Sequence, residues 1–114
     1  MAILYTNNAR TTVAAGGITN IATTLHVSAG TGALFPSPSG ASYFLLTVEN
    51  GGAGGTREIM KCTARATDAL TVVRAQEGTA AAAWAAADVV ELRLTAGMLT
   101  TLQAQSGLRA AYGS

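Results

Sequence analysis

Short apolar runs, separated by Gly, Pro and Asn, recur along the chain, and several alternate apolar and polar positions with a period of two. That period marks a strand buried on one face. The clearest run is Val89-Val90-Glu91-Leu92-Arg93-Leu94, with Val90, Leu92 and Leu94 on one side and Val89, Glu91 and Arg93 on the other. Residues 70–74 (LTVVR) are a second, β-branched run, and residues 57–64 a third with a less regular alternation. Between these two lies Ala66-Thr67-Asp68-Ala69, a link suited to a hairpin turn. Gln76-Glu77-Gly78-Thr79 follows, where Gly78 supplies a positive φ at no steric cost. The pattern predicts a three-stranded antiparallel sheet across residues 57–95.

The first half of the chain adds more strands. Residues 11–15 read as an edge strand ended by Gly16-Gly17, and residues 23–28 as a strand with Leu25 and Val27 inward and His26 outward. Residues 29–41 hold three glycines and two prolines, which predict a loop without regular structure; Leu34 and Phe35 within it are expected to plug the end of the core. Residues 43–49 (YFLLTVE) are apolar almost throughout, the mark of a central strand buried on both faces. Asn50-Gly51-Gly52-Ala53-Gly54-Gly55 reads as a hairpin loop, and lacks the Lys and Ser/Thr that would follow in a phosphate-binding loop. Residues 79–87 (TAAAAWAAA) read as an irregular connector with at most one helical turn, anchored by Trp84. Met98, Leu99 and Leu102 have helical spacing after Thr95, a suitable N-cap.

The expected architecture is therefore mainly β: a small antiparallel β-sandwich or barrel of six or seven strands with one short C-terminal helix. Its 114 residues suit one domain. Residues 1–10 form an N-terminal arm, residues 11–94 the β body, and residues 95–114 the short helix and tail.

Charged residues make up only 11% of the chain and the net charge is +1. So sparse a surface charge favours association, and without a basic stripe nucleic acid is not an expected partner. No apolar run is long enough to span a bilayer and no signal peptide is visible, so no membrane partner is expected. Cys62 reads as a buried small hydrophobe. With a single histidine, His26, there is no pair for a metal site or a nucleophile–base couple, and no cofactor is expected. Glu58, Glu77, Asp88 and Glu91 are the carboxylates that would have to converge for a two-carboxylate mechanism. Glu58 and Glu91, next to Arg57 and Arg93, are instead expected in ordinary cross-strand ion pairs. The chain is not expected to be an enzyme.

The segments ITNIATTLHVSAGTGALFPSPSGASYFLLTVEN, EIMKCTARATDALTVVRAQEGT and AAAWAAADVVELRLTAGML together resemble a small β domain of tailed-bacteriophage virion proteins. That domain occurs free-standing and as an N-terminal module of tail fibres. The resemblance spans about residues 5–102. It is most specific at Leu34-Phe35-Pro36, at residues 58–63, from Val73-Arg74 to Glu77-Gly78-Thr79, and at Trp84 followed by residues 90–95. Ala75 and Ala87 stand where the family pattern leads one to expect glycine.

The resemblance implies a virion structural protein, made in the host cytoplasm and resident in the virion. A tail, baseplate or fibre-attachment component is the first expectation; the lack of a long C-terminal fibre or receptor-binding domain argues for a free-standing connector, baseplate or tip component, or a decoration protein. A capsid decoration (cement) protein is the alternative, and a small cell-envelope hydrolase the third. The implied partners are other copies of the chain, as a ring or trimer, and other virion proteins. Apolar residues continue on both flanks of the β body, which makes Ile3, Leu4, Tyr5, Met98, Leu99, Leu102, Leu108 and Tyr112, with Trp84, the candidate assembly interface.

Overall fold

In a computed structural model the described residues are 3, 4, 6, 9–50, 56–93, 95–97, 99 and 100. Six strands are formed: β1 (Arg10–Thr12), β2 (Thr24–His26), β3 (Phe44–Glu49), β4 (Arg57–Ala66), β5 (Ala69–Gln76) and β6 (Val89–Glu91). All pair antiparallel in one sheet of order β1-β6-β3-β4-β5-β2. The chain is thus mainly β, but a single sheet curls into a half-barrel around its own core; there are not two stacked layers. The curl brings the two edges together at one end. Val13 and Val27 form a bridge there, with Ala14 N–H donating to His26 O (2.9 Å) and Ser28 N–H to Thr12 O (3.0 Å).

Strands form in each of the expected runs, but β1 covers Arg10–Thr12 where residues 11–15 are expected, and β6 stops at Glu91. β4 alternates from Arg57 to Thr63, with Glu58, Met60 and Cys62 inward, and loses the alternation at the register shift before Ala64. β3 is buried on both faces up to Val48 and lies between β6 and β4, the central position its apolar run predicts. β2 turns Leu25 into the core and His26 to solvent. The β4–β5 hairpin turns through Thr67 and Asp68, between the paired Ala66 and Ala69. At the β3–β4 hairpin Glu49 pairs with Arg57, while residues 51–55 of the expected loop lie outside the described residues.

Four expectations need correction. β6 does not lie beside β5; it inserts between β1 and β3. The connector before it makes this crossing, because Trp84 exchanges both backbone hydrogen bonds with Ile18 (2.9 Å each) on the way. Residues 29–41 are not wholly irregular, since Gly32–Leu34 form a 3-10 turn. Of the two residues expected to plug the core end there, Phe35 does so, stacked on Phe44 at 5.7 Å, but Leu34 is half-exposed. Finally, no C-terminal helix is shown. Among the described residues Ala96, Gly97, Leu99 and Thr100 have helical backbone, and Leu99 N–H donates to Thr95 O at 2.9 Å; residues 94, 98 and 101–114 lie outside them.

Two apolar clusters result. The main core fills the concave face with Phe35, Phe44, Leu46, Met60, Leu70 and Val90 among others. A smaller cluster lies on the convex face, where Ile3 covers Tyr43 and Leu45, flanked by Ile59 and Leu92.

Candidate functional site

The dominant feature inside the half-barrel is a charged pair. Glu58 occupies an inward position of β4 and is fully buried. Arg74 occupies the matching inward position of β5, two residues beyond Val72. The guanidinium grips the carboxylate with two hydrogen bonds, Nε to Oε2 at 2.8 Å and Nη2 to Oε1 at 2.9 Å. Its remaining hydrogens go to the carbonyls of Thr19, Ala22 and Ala82 at 2.6–2.9 Å. All five guanidinium donors are thereby used. The carboxylate also accepts the N–H groups of Ala75 and Ala82 and the Trp84 indole N–H at 2.9–3.1 Å.

Burial pushes the Glu58 carboxyl upward, and the hydrogen bonds from Arg74, Trp84, Ala75 and Ala82 outweigh it. The group stays ionised, below the usual carboxylate range. The pair ties the loop before β2, the connector before β6 and the end of β5 to one point. An ion pair buried this deeply is favourable only when its remaining lone pairs and protons are satisfied, as they are here. Its backbone setting is a bulge: the β4–β5 register shifts between Ile59 and Lys61, and Ala75 sits at φ 54°. Glycine is the usual residue at such a bulge. Ala87, in the turn before β6, also has a positive φ, 77°. Both alanines therefore hold the backbone conformation that glycine adopts without strain.

A second lock joins the loop after β2 to the β4–β5 turn. Asp68 accepts the N–H groups of Gly30 (3.0 Å) and Gly32 (2.8 Å), and these bonds hold its carboxyl below the ordinary value. Gly32 lies so close to that turn that a Cβ would stand 2.0 Å from Thr67 O.

The convex face carries the remaining charges. Arg93 bonds Glu49 and Glu91, while Arg10 and Arg57 lie farther out, 3.6 Å from Glu91 and 3.8 Å from Glu49. The hydrogen bond from Arg93 lowers the Glu49 carboxyl, and the same contact raises Arg93. Glu91 and Glu58 thus both make the cross-strand ion pairs expected of them, Glu91 with Arg10 on β1 and Glu58 with Arg74 on β5, but the pair of Glu58 is buried. Beside these charges, Tyr43, Leu45, Lys61, Gln76, Glu77 and Gly97 line an open recess of about 210 Å³. The Lys61 ammonium sits 4.6 Å from the Tyr43 ring centre.

The four carboxylates weighed for catalysis are separately engaged. Glu58 holds the hub. Glu77 accepts the Thr95 hydroxyl (2.6 Å) and Gly97 N–H (3.2 Å). Asp88 accepts Ala85 N–H at 2.9 Å, and Glu91 pairs with arginines. Burial pushes the Cys62 thiol up to about 11. Among the described residues no three His, Cys, Asp or Glu side chains gather as a metal site.

Of the candidate interface residues, Ile3 is buried in the convex-face cluster and Trp84 in the main core. As folded, neither offers surface to a partner. Leu4 is half-buried against the main core and Leu99 is exposed. Tyr5, Met98, Leu102, Leu108 and Tyr112 lie outside the described residues. The sequence reading missed the Glu58–Arg74 hub, although both residues continue an inward parity, Glu58-Met60-Cys62 and Leu70-Val72-Arg74. Compared with known protein families the chain matches none, and no curated protein matches it.

Proposed function

We propose that this chain is a structural subunit of a tailed-bacteriophage particle, a tail, baseplate or fibre-attachment component that assembles by protein–protein contacts. The residue pattern resembling that class of virion domain supports the reading. The observation that carries it is the hub. The two charged side chains closed inside the half-barrel, Glu58 and Arg74, are spent on fixing loops, each with its hydrogen-bonding capacity filled from within the chain. Such a body is a rigid scaffold with sparse surface charge, suited to being held among neighbours.

A reconstruction of the intact particle tests this. The expected result is density for the curled six-stranded body in a ring of the tail or at a fibre base. Density at capsomer junctions would mean the decoration role instead. Particles without this chain would overturn the proposal.

A further inference from the structure

The convex face already shows what it takes up. Tyr43 and Leu45 form an apolar groove outside the main core, and Ile3 fills it, 6% exposed, with Ile59 and Leu92 alongside. The seated segment is held as a strand would be: Ile3 bridges Tyr43 in parallel, and Leu4 N–H donates to Tyr43 O at 2.7 Å. The body proper begins at Ala9, whose carbonyl accepts Leu92 N–H at 3.1 Å. Between Leu4 and Ala9, one side-chain hydrogen bond joins the arm to the body, Thr6 Oγ1 to Leu34 O at 2.9 Å, among the described residues. The arm therefore presents a short apolar segment to a groove flanked by Leu92, the residue that also binds the Ala9 carbonyl. The groove does not end at Ile3, because the open recess of about 210 Å³ shares Tyr43 and Leu45 with it.

Resting on the assembly reading above, we infer that the Tyr43–Leu45 groove is the acceptor site for the Ile3–Leu4 arm of a second copy, so that neighbouring subunits are joined by exchanged arms. Exchange needs no new surface. Each groove receives the same Ile3 side chain and the same bridge that it makes within one chain, so the swapped and unswapped forms differ little in contacts. The occupant must be extended and apolar. A bulky residue seats in the groove, and the preceding strand register at Tyr43 fixes its direction.

Cysteine pairing distinguishes exchange from self-docking. Neighbouring strands lie about 4.7–4.9 Å apart, within the Cα separation that a disulfide spans. One chain carries Ile3→Cys and another Tyr43→Cys; the two are refolded together and oxidised. Native Cys62 is buried, with its thiol pushed up to about 11, and does not compete. The expected result is a band of twice the chain mass only in the mixture, taking in about half of the chains, the statistical share of mixed pairs in a two-fold exchange. The doubly substituted chain is the control for folding and reach. If it closes internally while the mixture yields no cross-link, the inference is overturned. Sedimentation of the Ile3→Ala variant is the second measurement. Loss of the parent's oligomer supports exchange, whereas an unchanged mass overturns it. A parent that is oligomeric without cross-links, or that stays a single chain at every concentration, removes arm exchange alone, while particles without this chain remove the assembly reading as well.

Discussion

Arg74 donates to a carboxylate and three backbone carbonyls at once, so its loss leaves several buried groups unpaired. Arg74→Ala is expected to cost about 3–5 kcal/mol, the range for removing one partner of a buried ion pair. Arg74→Lys recovers little, because an ammonium cannot reproduce the planar fork. Urea unfolding measures both. Ala75 and Ala87 make the opposite case. A left-handed backbone costs a non-glycine residue about 1–2 kcal/mol, while glycine's extra unfolded-state freedom costs about 0.5–1 kcal/mol. Ala75→Gly and Ala87→Gly are each expected to stabilise the fold by up to about 1 kcal/mol, read as a higher urea midpoint at unchanged slope. At this scale the sequence was partly legible. The resemblance singled out both alanines, whose φ values are positive. It did not show Glu58 as buried, because a glutamate beside an arginine on a strand reads equally as a surface ion pair. The distinction requires its inward parity to be matched to that of Arg74 on the neighbouring strand.

Strand existence followed from period and composition, since each strand alternates or is apolar throughout. Strand order did not. Nothing local to residues 89–91 states that they pair with β1 and β3; the crossing is fixed by contacts distant in sequence, the Ile18–Trp84 bridge and the hub. The closure between β2 and the β4–β5 turn is equally non-local, and it rests on Gly32. That residue donates its N–H to Asp68 and leaves no room for a Cβ, which would meet Thr67 O at 2.0 Å. Gly32→Ala is therefore expected to push the loop off the turn and destabilise by about 1–3 kcal/mol, as overpacking does. Gly40→Ala serves as the comparison, because its Cβ would meet nothing, although its φ of 60° still disfavours alanine. Amide exchange at Gly30 and Gly32 reports the loosening directly, and unchanged protection in Gly32→Ala would show that the loop absorbs the methyl group.

For the whole molecule, the ionisable groups fix a pH window of stability. Glu58, Glu49 and Asp68 all have carboxyls held below their ordinary values. Burial opposes this at Glu58 but Arg74, Trp84 and backbone N–H groups prevail; the Arg93 hydrogen bond does it at Glu49, and the Gly30 and Gly32 N–H groups at Asp68. A carboxyl depressed in the folded state contributes its full stability above the unfolded values, about 3.9 for Asp and 4.3 for Glu. That contribution disappears as pH falls through the lower folded values, because the unfolded chain then binds more protons. Cys62 sets the opposite limit. Its thiol is raised to about 11 by burial, so its contribution is complete below the unfolded value of about 8.5. It is lost as pH rises from there through the folded value, because the unfolded chain gains a thiolate that the core excludes. Stability is thus expected to be level from about pH 5 to 8 and to fall on both sides. Urea midpoints from pH 2 to 11 trace the curve. Cys62→Ala lowers the plateau by emptying a core site, but it should flatten the alkaline fall, and an alkaline slope identical to the parent's would exclude Cys62 as its source.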